Sequence, residues 1–225
     1  MYYFPADYST CQWGGLADVG GSTTWINGEM NARVTIHELG HNLGLMHSHS
    51  HGCEDGNGRL VPLSGSCEIS SEYGDPFSAM GAGDKGQGVF TANMLASLGW
   101  LGQGAHRYAT LVSSDSQTIT LTPIEEQGGG IQAVQVVDPN GLSPDLWLEY
   151  RQPAGNDKWI RSGGSGGVLI HAYSGTDSNL LDMRAGRGGY TDAVLPFGAS
   201  WTNPLNGMTL HVGTGTSARV NVTVN

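Results

Sequence analysis

The sequence feature that most constrains this chain is the stretch from His37 to His47, which reads HELGHNLGLMH. Residues four positions apart lie on one face of a helix, so a helix here lets His37 and His41 present their imidazoles to the same point. Gly44 can adopt a positive φ at little cost, which predicts an abrupt turn that brings His47 back towards the other two histidines. Three imidazoles suit zinc and leave its fourth position open for water, so the stretch predicts a metal site.

Glu38 follows the first histidine, one step around the predicted helix. From there its carboxylate can reach a water molecule held at the metal without being a ligand itself, which predicts a general base. His49 and His51 follow closely and could compete for the role of third ligand, but only His47 has the spacing of the HExxHxxGxxH pattern. The alternative is an amphipathic helix with a few surface histidines, which the five matched positions disfavour.

The predicted helix runs roughly from Glu29 to Leu43, with Asn27 or Asn31 as its cap. Its apolar residues widen into a broad stripe, which predicts a well-buried helix. A second helix is predicted from Thr91 to Trp100, with the threonine as its cap. The residues of the apolar stripe on the first helix are Val34, Ile36, Leu39, Leu43 and Leu45.

Short alternating strands separated by glycine-rich turns follow Trp100, and no further helix is expected there. This pattern predicts an α+β fold with a small metal-bearing unit over residues 1–105 and an all-β sandwich over residues 106–225. The three histidines of the second unit have no ligand spacing and are interpreted as structural or surface residues; they are His106, His171 and His211. The predicted strands are Thr118–Ile124, Leu146–Tyr150, Val168–Ile170, Met208–Val212 and Val220–Val224.

A second motif, EYGDPFSAMG over residues Glu72–Gly81, places Met80 in a glycine-flanked turn about thirty residues after the helix. With the extended histidine pattern, it resembles the metzincin clan of zinc peptidases and, within that clan, the gametolysin-type metallopeptidases. The resemblance implies that Met80 lies beneath the metal, where an adaptable thioether packs under the ligand rings. Several metzincins carry a tyrosine two residues after this methionine; here that residue is Ala82, so no such role is assigned. The implied site is His37, His41 and His47 as zinc ligands with Glu38 as base.

The resemblance implies a secreted zinc-dependent endopeptidase with a metzincin-like catalytic unit. Its substrates would be proteins of the extracellular matrix or cell wall, hydrolysed by zinc-activated water with Glu38 as the general base. The alternative is a non-catalytic, zinc-containing extracellular binding protein whose β-sandwich recognises matrix or cell-wall material. A structural zinc site has no need of a general base, so the presence of Glu38 disfavours the alternative.

The formal net charge of −10 argues against nucleic acid as a partner, because an acidic surface repels phosphates. No apolar run approaches the ~18 residues that a membrane helix needs. The acidic run Glu54–Gly58 could bind Ca²⁺ through oxygen atoms, but it lacks a recognisable ligand pattern and a solvated loop is favoured. The expected partner is a protein or peptide substrate, and the sequence does not predict an oligomeric state.

The chain has three cysteines. Cys53 and Cys67 bracket a short glycine-rich loop and could close it with a disulfide worth ~3 kcal/mol. Cys11 would then be left over, and the sequence leaves the pairing open.

The segment before the helix is short for the family that the chain resembles. Metzincins usually carry a sheet with covering helices there, whereas only 36 residues precede His37. We therefore expect either a chain without its N-terminal part or an unusually small upper lobe. Ser22–Ile26 is predicted to be an edge strand that can pair with a substrate peptide. Met1–Pro5 lacks the features of a signal peptide, so a secretion signal is expected to be absent from this sequence.

Overall fold

The structure is a computed structural model that describes residues 1–28, 30–81, 88–102, 107–126, 130–160, 162–174, 177–187, 189–216 and 219–225. Within these ranges the chain is mostly β, with three sheets and a few short helices. This composition is compatible with the predicted α+β fold.

A three-stranded sheet lies at the N-terminus. Its central strand is β3 (Thr24–Asn27), which pairs in parallel with β1 (Tyr2–Phe4) and antiparallel with β2 (Gly15–Ala17). The prediction that Ser22–Ile26 forms an edge strand is therefore wrong, because both edges of β3 are paired. The edge strand on the side of the first helix is β2.

Asn27 explains why the chain before β3 folds back on both sides of it. Its buried side chain donates hydrogen bonds to the carbonyl oxygens of Cys11 and Trp13, both at 2.9 Å, and accepts one from the Asp7 N–H at 2.8 Å. These bonds gather the loop that connects β1 and β2 around one side chain.

Helix α1 spans Ala32–Asn42, and its cap is Asn31, whose side chain accepts a hydrogen bond from the Val34 N–H at 2.9 Å. This confirms one of the two predicted caps, while the predicted start at Glu29 lies outside the described residues. The predicted turn is confirmed by Gly44, which has a φ of +92°. The prediction of a well-buried helix is wrong, because Leu39 and Leu43 are 42% and 47% exposed. The small N-terminal sheet covers only part of the helix surface.

Helix α2 spans Ala92–Ser97 and follows the predicted cap Thr91. The Thr91 side chain makes no capping bond to the helix backbone and instead donates to the Asn93 side chain. The Ala92 N–H is satisfied by the buried carboxylate of Glu149, which lies far along the chain.

The largest sheet has the order β5-β4-β12-β11-β10-β9-β7, with β6 also paired to β4 and β13 to β11. A four-stranded sheet, β14-β15-β16-β8, packs against it through a shared apolar core. The strands are β4 (Ser48–Glu54), β5 (Leu60–Val61), β6 (Cys67–Ser71), β7 (Tyr108–Val112), β8 (Gln117–Leu121), β9 (Ala133–Val137), β10 (Asp145–Tyr150), β11 (Gly167–Ser174), β12 (Asp177–Leu181), β13 (Leu195–Pro196), β14 (Ser200–Thr202), β15 (Thr209–Val212) and β16 (Val220–Val224).

All five strands predicted after Trp100 are present, with ends that differ by up to four residues from the prediction. The expectation of no helix in this region is wrong. A four-residue helix, α3 (Ser162–Ser165), and two 3₁₀ turns, Gly155–Asp157 and Tyr190–Asp192, lie between strands. These elements are too short to produce an amphipathic period in the sequence.

The largest sheet contains strands from both sides of the predicted domain boundary. Strand β4 pairs in parallel with β12, so that Ser48 lies opposite Ser178. The boundary itself falls among residues 103–106, outside the described residues, and the division into two units stays a prediction. What the structure adds is that the two units share a sheet.

A disulfide joins Cys53 to Cys67 across the paired strands β4 and β6, and Cys11 is a free thiol. The sequence left the disulfide pairing open, and the structure contains the Cys53–Cys67 pair. None of the helices in the described part of the chain is both long and apolar enough to span a membrane.

Candidate metal centre

The structure brings His37, His41 and His47 together. Their ligand-capable atoms all lie within 4.8 Å of one another, and the Nε2 atoms of His41 and His47 are 3.1 Å apart. Two nitrogen ligands of a tetrahedral zinc ion, each ~2.0–2.1 Å from the metal, are separated by roughly 3.3 Å. The spacing of the two imidazoles therefore fits a shared metal ion.

The two competing histidines lie outside this cluster. The ring of His49 is 6.4 Å from that of His47, and its Nε2 is 3.9 Å from an oxygen of Asp177. His51 lies beside Cys53 and Cys67, but these two sulfur atoms are bonded to each other. Neither His49 nor His51 belongs to the cluster formed by His37, His41 and His47.

Each of the three clustered imidazoles makes a hydrogen bond through Nδ1 to an oxygen that can only accept. The Nδ1 atom therefore carries the proton, and the Nε2 lone pair faces the common point. Partners of this kind fix the ring orientation of metal-binding histidines. The three pairs are His37 with the Ala79 carbonyl at 3.0 Å, His41 with the Leu45 carbonyl at 2.9 Å, and His47 with the Glu72 carboxylate at 2.8 Å.

Burial favours the neutral form of two of these imidazoles, those of His37 and His47. Burial lowers the pKa of His37 to about 4, although its bond to the Ala79 carbonyl opposes the shift. Burial also lowers the pKa of His47, against the opposing effect of Glu72. A lowered pKa leaves the imidazole neutral at neutral pH, and the neutral imidazole is the form that binds a metal.

Glu38 is 6% exposed and lies under the edge strand β2. A Cβ atom on Gly15 would lie only 2.5 Å from the Glu38 Oε1 atom, so the strand passes directly over the carboxylate. Burial raises the pKa of Glu38 to about 7. A carboxyl group that titrates near neutrality has the affinity for protons that suits a general base or acid.

Met80 is completely buried beneath helix α1. Its sulfur lies so close to Gly40, between the two helical histidines, that a side chain on this glycine would collide with it. The preceding residue, Ala79, accepts the bond from His37, so the turn supports both the helix and this imidazole. Ala82, two residues after Met80, lies outside the described residues.

Three residues at the start of the EYGDP motif have contacts that the sequence did not reveal. Glu72 bonds His47, and the ring of Tyr73 packs 4.2 Å from the ring of His47. Buried Asp75 accepts hydrogen bonds from the side chains of Ser48 at 2.7 Å and His171 at 2.9 Å. The sequence signal that could have indicated these contacts is the presence of several polar residues in the motif that precedes the methionine turn.

Two other predictions of minor sites have different outcomes. In the acidic run 54–58, the Asp55 carboxylate accepts backbone N–H bonds from Asn57 and Arg59, which makes a turn. This arrangement does not support Ca²⁺ binding. His171 lies in the core, as its structural interpretation requires, whereas His106 falls outside the described residues.

The comparison with protein-family models matches residues 1–187 of the chain to the model of gametolysin peptidase M11. The match includes the helix motif, the methionine turn and the central strands of the largest sheet. The searches of curated proteins and of solved structures found no match.

Proposed function

This chain belongs to the gametolysin peptidase M11 family, and from that premise we propose that it is a secreted zinc endopeptidase of metzincin type. The observation that carries the proposal is the convergence of the three imidazoles of His37, His41 and His47, next to a buried carboxylate, that of Glu38, whose pKa burial raises to about 7. The family implies a metal, typically zinc, and a protein substrate.

The residues present fit a zinc ion. The cluster offers three nitrogen ligands, and a catalytic zinc site takes three ligands from the protein and keeps its remaining position for water or substrate. His37, His41 and His47 would hold the ion, with Met80 packed below the helix. When bound, zinc supplies a positive charge that polarises the attacking water and the substrate carbonyl.

Glu38 is proposed to move the proton. Its carboxylate accepts a proton from the attacking water and then delivers it to the departing amine nitrogen. Because burial raises its pKa to about 7, the carboxylate holds a proton more readily than an exposed glutamate does and can release it again near neutral pH. Strand β2 covers this carboxylate and keeps bulk water from one side of it.

The edge of β2 is the proposed position of the substrate chain. Among the described strands β2 pairs only with β3, which leaves its other edge open, and Gly15 of β2 lies against Glu38. An extended peptide can add to such an edge through main-chain hydrogen bonds, and this brings a peptide bond close to the metal. We propose proteins of the extracellular matrix or cell wall as substrates. The disulfide between Cys53 and Cys67 supports an oxidising compartment, and so secretion.

The proposal is tested by Glu38→Gln, which keeps the shape of the side chain and removes its ability to accept the proton. We expect the variant to retain one zinc ion per chain and to lose about 10²–10⁴-fold in peptide cleavage. Glu54→Gln, the same change at an exposed site, is the matched control and should cleave as the wild type does. Zinc content and digestion of casein, gelatin and a peptide library are the measurements.

Two results would overturn the proposal. Undiminished cleavage by Glu38→Gln would remove Glu38 from the mechanism. A zinc-loaded wild-type protein that cleaves none of the substrates would favour the non-catalytic binding protein instead.

A further inference from the structure

We infer that Glu72 is a positioning residue for the third metal ligand: its carboxylate fixes the tautomer and direction of His47 and thereby sets the affinity of the site for the metal. The inference rests on the proposed role of His47 as a ligand. It concerns a residue before the methionine turn, outside the HExxHxxGxxH pattern.

His47 needs support that the other two ligands obtain from the fold itself. His37 and His41 are held by helix α1, and their Nδ1 atoms bond to main-chain carbonyls. His47 follows the turn at Gly44 and precedes strand β4, so no helix or strand contains it. Its Nδ1 atom bonds to a side chain, that of Glu72, at 2.8 Å.

The segment that carries Glu72 is fixed on the side of β4. Strand β6 ends at Ser71, and the N–H of Gly74 donates to the Ser71 carbonyl at 3.1 Å, which makes a tight turn around residues 72 and 73. Gly74 lies so close to Ser50 of β4 that a Cβ atom would collide with it. The next residue, Asp75, is buried and bonded to Ser48. The carboxylate is therefore presented to His47 by an anchored turn.

Tyr73 completes the support. Its ring centroid lies 4.2 Å from that of His47 and 5.8 Å from that of His37. The imidazole of His47 is thus held at one edge by the carboxylate and on its side by the aromatic ring. Rotation of this imidazole would break its hydrogen bond to Glu72 and bring it into collision with the Tyr73 ring.

The exposed position of Glu72 separates its effect on the metal from any effect on folding. Its side chain is 64% exposed, so its truncation leaves no buried cavity. A carboxylate that accepts from a ligand histidine makes the imidazole a stronger donor to the metal, and loss of such a partner costs about 10–100-fold in metal affinity.

The test measures the zinc dissociation constant by competition with a chromogenic chelator, in the wild type, Glu72→Ala and Glu72→Gln. We expect binding about 10–100-fold weaker in Glu72→Ala. Glu72→Gln should be intermediate, because its amide oxygen can still accept the Nδ1 proton but carries no charge. The visible spectrum of the Co²⁺-loaded proteins should change in the same order, since it reports the geometry of the ligands.

Glu68→Ala is the matched control. Glu68 is an exposed carboxylate four positions earlier, on β6, and its removal changes the net charge by the same amount. We expect its zinc affinity to equal that of the wild type. Equal loss in Glu68→Ala and Glu72→Ala would reduce the effect to long-range charge and overturn the inference, as would a Glu72→Ala affinity within twofold of the wild type.

The readout also separates this inference from the proposed function. A wild-type protein that binds no zinc would refute the metal site as a whole. A wild type that binds zinc tightly, with Glu72→Ala binding equally well, would refute only the role of Glu72. The unfolding midpoint of the metal-free proteins should be the same in all variants, because the lost contact is exposed to water.

Discussion

At the scale of single residues, the site depends on side chains that are missing as much as on those that are present. Gly15 lets strand β2 pass over the Glu38 carboxylate, and Gly40 lets the Met80 sulfur approach helix α1. In each case the glycine has no side chain, so the Glu38 carboxylate can lie against β2 and the Met80 sulfur against α1. The sequence predicted Glu38 and Met80 from their motifs, but it gave no sign of which glycines make room for them.

Gly15→Ala tests the contact above Glu38. The added methyl group would lie 2.5 Å from the Glu38 Oε1 atom and 2.6 Å from a methyl carbon of Val34, so the strand or the helix must shift. We expect a loss of about 1–3 kcal/mol in the free energy of unfolding and at least a tenfold loss in peptide cleavage. Gly14→Ala, where the nearest atom would be 3.8 Å away, should behave as the wild type in urea unfolding and in cleavage assays. Equal behaviour of the two variants would contradict this account.

At the scale of elements, local sequence patterns predicted which helices, strands and turns form. They did not predict which parts of the chain pack against them. The cap at Asn31, the turn at Gly44 and strand β16 all follow from residues close in sequence. The burial of helix α1 and the pairing of β3 depend on partners elsewhere in the chain. Strand β1 pairs with β3 although β2 and two loops lie between them in sequence, and no periodicity can reveal this pairing. For the same reason the Glu149 carboxylate at the start of α2 could not be foreseen.

The contact between helix α1 and the methionine turn gives a prediction at this scale. Gly40→Ala would normally favour a helix by about 1 kcal/mol. Here the methyl group would collide with the Met80 sulfur and lie 3.1 Å from a ring carbon of Phe90, so we expect net destabilisation. In a Met80→Ala background the same substitution should become neutral or stabilising. Additive effects in a double-mutant cycle of unfolding free energies would show that the two residues do not meet.

At the scale of the whole molecule, one buried hydrogen bond between side chains connects the segment before Met80 with the centre of the largest sheet. Asp75 and His171 are both fully buried, and His171 lies on β11, next to β10 and β12. Asp75 also binds Ser48, the residue after His47. The predicted units over residues 1–105 and 106–225 are thus joined by side chains as well as by a shared sheet.

Asp75→Asn tests this connection. Burial alone would raise the pKa of Asp75, but hydrogen bonds from His171, Ser48 and the Phe77 N–H outweigh it and lower the pKa below 3.8. The ionised carboxylate therefore stabilises the fold above pH ~3.8, and this contribution is lost as the pH falls through the lowered pKa. We expect the variant to lose roughly 3 kcal/mol at pH 7 and the difference to shrink below pH ~3.8.

The measurement is urea unfolding of both proteins between pH 7 and pH 3. Asp18→Asn changes an exposed carboxylate and should cost no more than about 0.5 kcal/mol at any pH. A pH-independent difference for Asp75→Asn would show that its charge is not what stabilises the fold.

The parallel pairing of β4 with β12 also sets an order of events during synthesis. The strand that begins directly after His47 obtains this neighbour about 130 residues later along the chain. While the chain is still being made, β4 can pair with β6 and, at Cys53 and Glu54, with β5, but residues 48–51 still lack their partner β12. His47 therefore reaches its final surroundings only after residues 177–181 have emerged. The surroundings of the three-histidine cluster are thus completed late in the synthesis of the chain.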